Sequence, residues 1–537
     1  MLRRTIDILS RGACCFQVEF PVSDAFLLSR RLLLSFGLSL PALSALGQPA
    51  LARIRVEPSR GGDKPEPFAF DWAWLVERAR SLAQDDHGEA DTVDEAFSDL
   101  TYDQYRDIRF RSDAALFADA GRFRADLFHP GFIYRTPVDV FLVEDGTASA
   151  LTYDRSLFDF GPLVPEIPAD ANPGYSGVRY RYPINRPDVL DEFAVFQGAS
   201  YFRAVGRNTL YGLSARGLAL RTADPRGEEF PAFTAFFLEK PEANSTSVVV
   251  MALLESPSAT GAYRFTMRPG TATVMDVEAA LFARTELTSV GLAPLTSMFL
   301  FNGVNRSQFD DFREAVHDSD GLQIQTGAGE WLFRPLNNPA TLQVSGFQDN
   351  GPRGFGLVQR SRRFEDYQDL EAHYEKRPSA WVEPIGDWGP GEITLVEIPT
   401  DSETNDNIVA FWHPTRPIAE GAMFTLSYRL SWGEDFAPED TLARVAHTRA
   451  GLSFDGQRQI FVLDFDRDVA AGVDAGPDVT GTAEIVNVVM KRNDVTGTTR
   501  LSFEFSSEDL DSAELRARIV DAQGAALSET WLFRWTA

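Results

Sequence analysis

The sequence predicts an all-β protein built as two β-sandwiches, and three observations carry that expectation. Short apolar or alternating runs recur along the chain, turn-forming residues separate them, and 537 residues exceed what one hydrophobic core usually absorbs. The runs at 138–143, 193–196, 248–254 and 393–396 each have the length of a strand, with Gly, Pro, Asn and Asp between them. That spacing points to a large antiparallel sandwich or barrel-like assembly rather than to alternating βα units.

Taken in order, the first fifty residues read as an address, not as structure. Arg30-Arg31 is a twin-arginine pair, Leu32 to Leu46 is an apolar run, and Ala50-Leu51-Ala52 offers a small-x-small cleavage site. The run is shorter than the roughly 20 residues of a membrane span, so the expectation is export to the periplasm by the twin-arginine route, with cleavage near Ala52 and no span in the mature form. Residues 1–28 read as an N-terminal extension. Gly61 to Pro67 is a spacer. Asp71 then caps a predicted helix through Ala83, with Trp72, Leu75, Ala79 and Leu82 at helical spacing. A second short helix is predicted over 103–109. From there to 413 the pattern is that of one large sandwich domain. Pro414-Thr415-Arg416-Pro417 reads as the linker. Runs at 424–428, 460–465, 483–490, 501–505 and 515–520 predict an immunoglobulin-like sandwich over 418–537.

Composition narrows the function classes. Both cysteines, Cys14 and Cys15, fall in the export segment, so the mature chain is expected to have no disulfide and no cysteine metal site. The six histidines show no ligand spacing, and neither metal nor cofactor is expected. The segment 1–52 carries five Arg and three acidic residues, which leaves 46 basic and 75 acidic residues and a net charge of −29. A surface this acidic repels nucleic acid and anionic lipid heads and suits a neutral ligand. Phenylalanine, at 41 residues beside 9 Trp and 13 Tyr, can build cores or line a sugar cleft. A homodimer is a possible assembly.

Three clusters combine carboxylates, aromatics and turn formers. They are Val316-His317-Asp318-Ser319-Asp320-Gly321-Leu322, His373-Tyr374-Glu375-Lys376-Arg377-Pro378-Ser379-Ala380-Trp381, and Glu397-Ile398-Pro399-Thr400-Asp401-Ser402-Glu403-Thr404-Asn405-Asp406-Asn407-Ile408-Val409. Taken singly, each is explained by a capped turn or a solvated loop. Together with Asn172-Pro173-Gly174-Tyr175-Ser176-Gly177, Phe196-Gln197-Gly198-Ala199-Ser200-Tyr201-Phe202-Arg203, Tyr211-Gly212-Leu213-Ser214-Ala215-Arg216-Gly217 and Trp331-Leu332-Phe333-Arg334-Pro335-Leu336, they resemble the periplasmic osmoregulated glucan biosynthesis proteins of the G and D type, which are related to inverting β-1,2-glucanases. The resemblance covers residues 65–535, in order.

The resemblance implies a sandwich domain with a long cleft, joined to a smaller immunoglobulin-like domain, and β-1,2-glucan as the partner. It implies Asp406 as general acid and Asp318 as general base, with Tyr374 and Glu403 in the same water-linked site. The chemistry suits these residue types, because inversion needs one protonated carboxyl to assist the leaving oxygen and one carboxylate to activate water. Sugar rings stack on aromatic faces while Arg bonds hydroxyls, which makes Tyr175, Tyr201, Trp331, Arg377, Trp381 and Trp412 candidate substrate contacts. One departure stands out: after His447-Thr448-Arg449-Ala450-Gly451 the loop to Gln459 is short, where relatives carry a long tryptophan-bearing lid. The activity implied is endo-hydrolysis or transglycosylation of the glucan backbone. The alternative is a non-catalytic factor that binds and presents nascent glucan.

Overall fold

The computed structural model describes residues 66–537 apart from 89, 169 and 437–441, so the export segment read at 1–52 lies outside the described residues. The first helix begins where Asp71 caps it. The Asp71 carboxylate accepts from the Trp74 amide at 2.7 Å, and the helix runs Trp72–Ala83. Leu75 and Ala79 are fully buried beneath it, against Phe141, Phe237, Met251 and Phe282 of the larger sheet. Burial of a leucine-sized side chain contributes about 1.5–3 kcal/mol, so this stripe is what docks the helix. The second helix is shorter than the sequence suggests. A capping box of Thr101 and Gln104 starts Tyr102–Arg106, but by Ile108–Phe110 the chain is already a strand paired with Phe158–Phe160. Tertiary strand pairing has taken the last predicted turn. No helix of the described residues is long and apolar enough to cross a membrane.

Two sheets of fifteen and ten strands form the body. Their shared core takes Phe236, Val250, Phe265, Val277 and Leu430 from the larger sheet, and Phe196, Phe202, Leu295, Ile408 and Trp412 from the smaller. Strand side chains alternate between faces, so a core residue fixes where its neighbours go. In Tyr201–Ala204, Phe202 and Ala204 point into the core, which sends Tyr201 and Arg203 to the opposite face. In Ser214–Arg216, Ala215 points inward and Ser214 and Arg216 share the outer face. The smaller sheet thereby carries two arginines on the side away from its core.

The C-terminal strands build a second core. Val445–Leu452, Gln459–Phe465, Ile485–Asn493 and Thr498–Phe505 form a four-stranded sheet. It packs Phe461, Leu463, Leu501 and Phe503 against Leu515, Ile519, Trp531 and Phe533. The boundary expected at 414–417 needs correction. Pro414 closes the strand Ile408–Pro414 opposite Gly391, and Ile418 bridges back to Leu287. The next strand, Met423–Gly433, lies between Thr273–Ala283 and Ser379–Ile385 in the fifteen-stranded sheet. The two prolines interrupt the ladder, because proline has no amide to donate, but they produce a turn that returns to the first sandwich rather than a link that leaves it. The cores part only after Gly433.

Even there the sheet is continuous. Leu332 and Phe333 of Trp331–Pro335 pair in parallel with Thr530 and Trp531 of Thr530–Thr536. A buried ion pair pins the same junction. Arg360 lies 3.5 Å over the Phe333 ring and donates to Glu529 at 2.8 Å, while Glu529 also accepts from the Val445 amide at 2.8 Å.

Candidate functional site

The outer face that carries Tyr201, Arg203 and Arg216 is where the acidic loop 401–406 arrives. Asn407 sets its position. Buried at the loop's end, Asn407 accepts from the Phe299 amide at 2.8 Å and donates to the carbonyls of Phe299 and Ile398 at 2.9 and 3.0 Å. Phe299 pairs with His317 across a short ladder, so the same three bonds place Asp406 relative to Asp318.

The turn that carries Asp318 is held along most of its length. The Asp318 amide donates to the Met298 carbonyl at 2.8 Å, the Ser319 hydroxyl accepts from Ser297 at 2.8 Å, and Asp320 accepts from Asn302 at 2.9 Å. Gly321 closes it, because a Cβ there would fall 2.1 Å from the Phe333 ring. Asp318 is 8% exposed as a residue, and its carboxylate stands 3.6 Å from the Arg377 guanidinium.

Tyr374 enters from a third loop. His373, just before it, adopts φ 47°, a left-handed conformation that costs a non-glycine residue roughly 1 kcal/mol. That turn sets the buried Tyr374 so that its hydroxyl donates to Glu403 at 2.9 Å. Arg313 donates to the same Glu403 oxygen at 2.8 Å, to Asp369 at 2.8 Å, and to both oxygens of Asp311. Arg377 lies 5.4 Å over the Tyr374 ring and donates to the carbonyls of Ala372 and Tyr211. Gln359 ties the loops together by donating to the carbonyls of His317 and Tyr374 at 3.0 and 3.1 Å.

Electrostatics separate the two aspartates. Burial pushes the Asp406 carboxyl up to about 6, and the Asp318 charge pushes the same way, while Arg203 and Arg216 pull against both. As a residue Asp406 is partly exposed, yet its Oδ2 is enclosed with no hydrogen-bond partner among the described residues. Burial also raises Tyr201 to about 12, opposed by the Arg216 guanidinium 4.7 Å over its ring and reinforced by Asp406. His317 is held below its ordinary value by burial and is neutral at neutral pH. One face therefore holds a carboxyl able to give a proton near pH 6, a second carboxylate beside a guanidinium, and a phenol bonded to a third carboxylate.

The structure thus brings together Asp318, Asp406, Tyr374, Glu403, Arg377 and Tyr201. Two other predicted contacts need correction. Tyr175 is 2% exposed inside the main core, its hydroxyl donating to the Thr152 carbonyl at 2.9 Å. Trp412 is fully buried on the inward face of its strand, beside Trp388. Both pack the sandwich. Trp331 and Trp381 stack on each other at 5.6 Å. Trp331 pairs with Gln325, four positions along the strand that Gly321 begins, about 13 Å from the carboxylate turn at the usual strand rise. They stand beside the carboxylate cluster, not within it.

Sequence reasoning missed three arginines. Arg203 and Arg216 were legible as charges in otherwise apolar strand stretches, which a buried sheet tolerates only where the charge has work or a partner. Arg313 follows Asp310-Asp311-Phe312 in a segment with no strand pattern, and nothing local marks it.

Comparison with known proteins supplies a context for this geometry. Residues 70–535 match the family model described as periplasmic glucan biosynthesis protein, MdoG. The glucans biosynthesis protein G of Vibrio cholerae serotype O1 is 50% identical over 477 residues, 87% of each chain. Its namesake in Shewanella frigidimarina is 48% identical over 479 residues, covering 87% of this chain and 85% of the relative. That of Bradyrhizobium diazoefficiens is 48% identical over 475 residues, covering 87% and 94%.

Proposed function

We propose that this chain, because it belongs to the periplasmic glucan biosynthesis protein family, cuts the β-1,2-glucan backbone with Asp406 as general acid and Asp318 as general base. The observation that carries the reading is the pairing of an enclosed carboxyl, raised to about 6, with a second carboxylate whose charge it feels. Inverting cleavage needs that division of labour. Asp406 gives its proton to the leaving glycosidic oxygen as the bond from that oxygen to the anomeric carbon breaks. A water attacks the same carbon from the opposite face, and its proton passes to Asp318. The acceptor decides the product: water gives hydrolysis, a sugar hydroxyl in its place gives transglycosylation.

Tyr374 positions the water in this proposal. Its hydroxyl donates to Glu403, so its oxygen acts as a hydrogen-bond acceptor that orients the water, while the water's proton passes to Asp318 and none travels through the phenol. Arg203, Arg216 and Arg377 are the hydroxyl-binding groups, and Tyr201 presents the aromatic edge. In the same proposal the protein works in the periplasm and reaches it by the twin-arginine route.

The test is incubation of the purified protein with linear β-1,2-glucan, followed by assay for new reducing ends and for cyclic products. Turnover that falls at least about a hundredfold in both Asp406→Asn and Asp318→Asn, with glucan binding retained, is the expected result. Binding without turnover in the wild-type protein would overturn the catalytic assignment and leave a glucan-presenting factor.

A further inference from the structure

We infer that Arg313 is a positioning residue of this site, which holds the Glu403 carboxylate turned toward the Tyr374 hydroxyl. The inference rests on the catalytic reading above, and it concerns a residue that never touches the glucan in that reading.

The geometry is specific. Arg313 Nη1 is shared between Glu403 and Asp369, at 2.8 Å each, while Nε and Nη2 grip Asp311 at 3.0 and 2.7 Å. A planar guanidinium with fixed donors can span two directions in this way, and an ammonium cannot. The side chain is 8% exposed. Burial alone would weaken its charge, but the surrounding carboxylates hold it above its ordinary range. Glu403 Oε2 therefore sits between two donors, the guanidinium on one side and the phenol on the other.

Two consequences follow from that arrangement. The guanidinium fixes Glu403 Oε2 where the Tyr374 hydroxyl donates to it, so the phenol is held in one orientation. Without the fork the Glu403 side chain is released, and the orientation of the phenol goes with it. The anchoring also fixes the loop 401–406, because Asp311 and Asp369 come from two other segments and Glu403 lies three residues before Asp406.

The experiment compares Arg313→Gln and Arg313→Lys with the wild-type protein on linear β-1,2-glucan. For Arg313→Gln, kcat is expected to fall on the order of 10–100-fold with KM within about twofold. Arg313→Lys, which restores the charge and loses the fork, is expected to recover only part of kcat. A folded Arg313→Gln with KM raised and kcat intact overturns the inference. A crystal structure of Arg313→Gln reads the same point without turnover: Glu403 is expected to have left the Tyr374 hydroxyl, and an unchanged Glu403–Tyr374 bond overturns the inference. Absence of turnover in the wild-type protein instead counts against the proposed function, so the two failures are told apart.

Discussion

Replacing Asp406 with Asn keeps the shape of the side chain and removes its titration, so stability and activity should respond in opposite directions. Burial raises the carboxyl from 3.8 to about 6, so the folded protein binds the proton more tightly than the unfolded chain does. Stability is then highest where the group is protonated in both states and falls as pH rises through the window from about 4 to about 6. A shift near two units corresponds to roughly 3 kcal/mol at 1.36 kcal/mol per unit. The wild-type protein carries that penalty in full above pH 7, and the Asn variant never carries it. Thermal unfolding at pH 4.5 and pH 8 checks this. The advantage of Asp406→Asn over wild type should grow between the two pH values, on the order of 2–3 °C for a chain of this size. In the same samples glucan cleavage should be at least about a hundredfold slower. A stability difference that is the same at both pH values would show that the carboxyl is not a buried, raised group, and the acid assignment would lose its physical basis.

Other outcomes follow from other parts of the molecule. Glu529→Ala strips the buried Arg360 of its carboxylate and should destabilise the protein by about 3–5 kcal/mol, measurable by denaturant unfolding. Truncation after residue 417 removes the strand Met423–Gly433 from between two neighbours, so the remaining fragment should be insoluble. Soluble folded material of that length would contradict the strand order. Arg30→Lys with Arg31→Lys should leave precursor in the cytoplasm, read by fractionation, and normal periplasmic accumulation would refute the twin-arginine route.

Most of the architecture was legible because strands announce themselves by period. The run at 248–254 is the strand Val248–Glu255, and 460–465 is Gln459–Phe465. The domain boundary was not legible, since two prolines look alike whether they end a domain or turn a strand. What distinguishes the cases is the partner of Met423–Gly433, a contact 150 residues away at Thr273–Ala283. Aromatics misled for a related reason. In Ile408–Pro414 both faces are apolar, Ile408, Ala410 and Trp412 on one and Val409 and Phe411 on the other, so no alternation shows which side Trp412 takes. The carboxylates were visible only as parts of longer motifs. Nothing in the composition of an acidic chain separates Asp406 from Asp401, whereas the enclosed Oδ2 of Asp406 does so at once.

The ladder that joins Leu332 and Phe333 to Thr530 and Trp531 has a mechanical consequence. A protein of two globular parts on a string can open like jaws, but one plate of β-structure shared by both cores resists such bending. To part them, the parallel rungs and the enclosed contact of Arg360 with Glu529 would have to rupture together. Under the proposed function, access for the glucan is then governed by the loops above the plate and not by separation of the two cores. Hydrogen exchange should accordingly find the strands on either side of that seam equally slow.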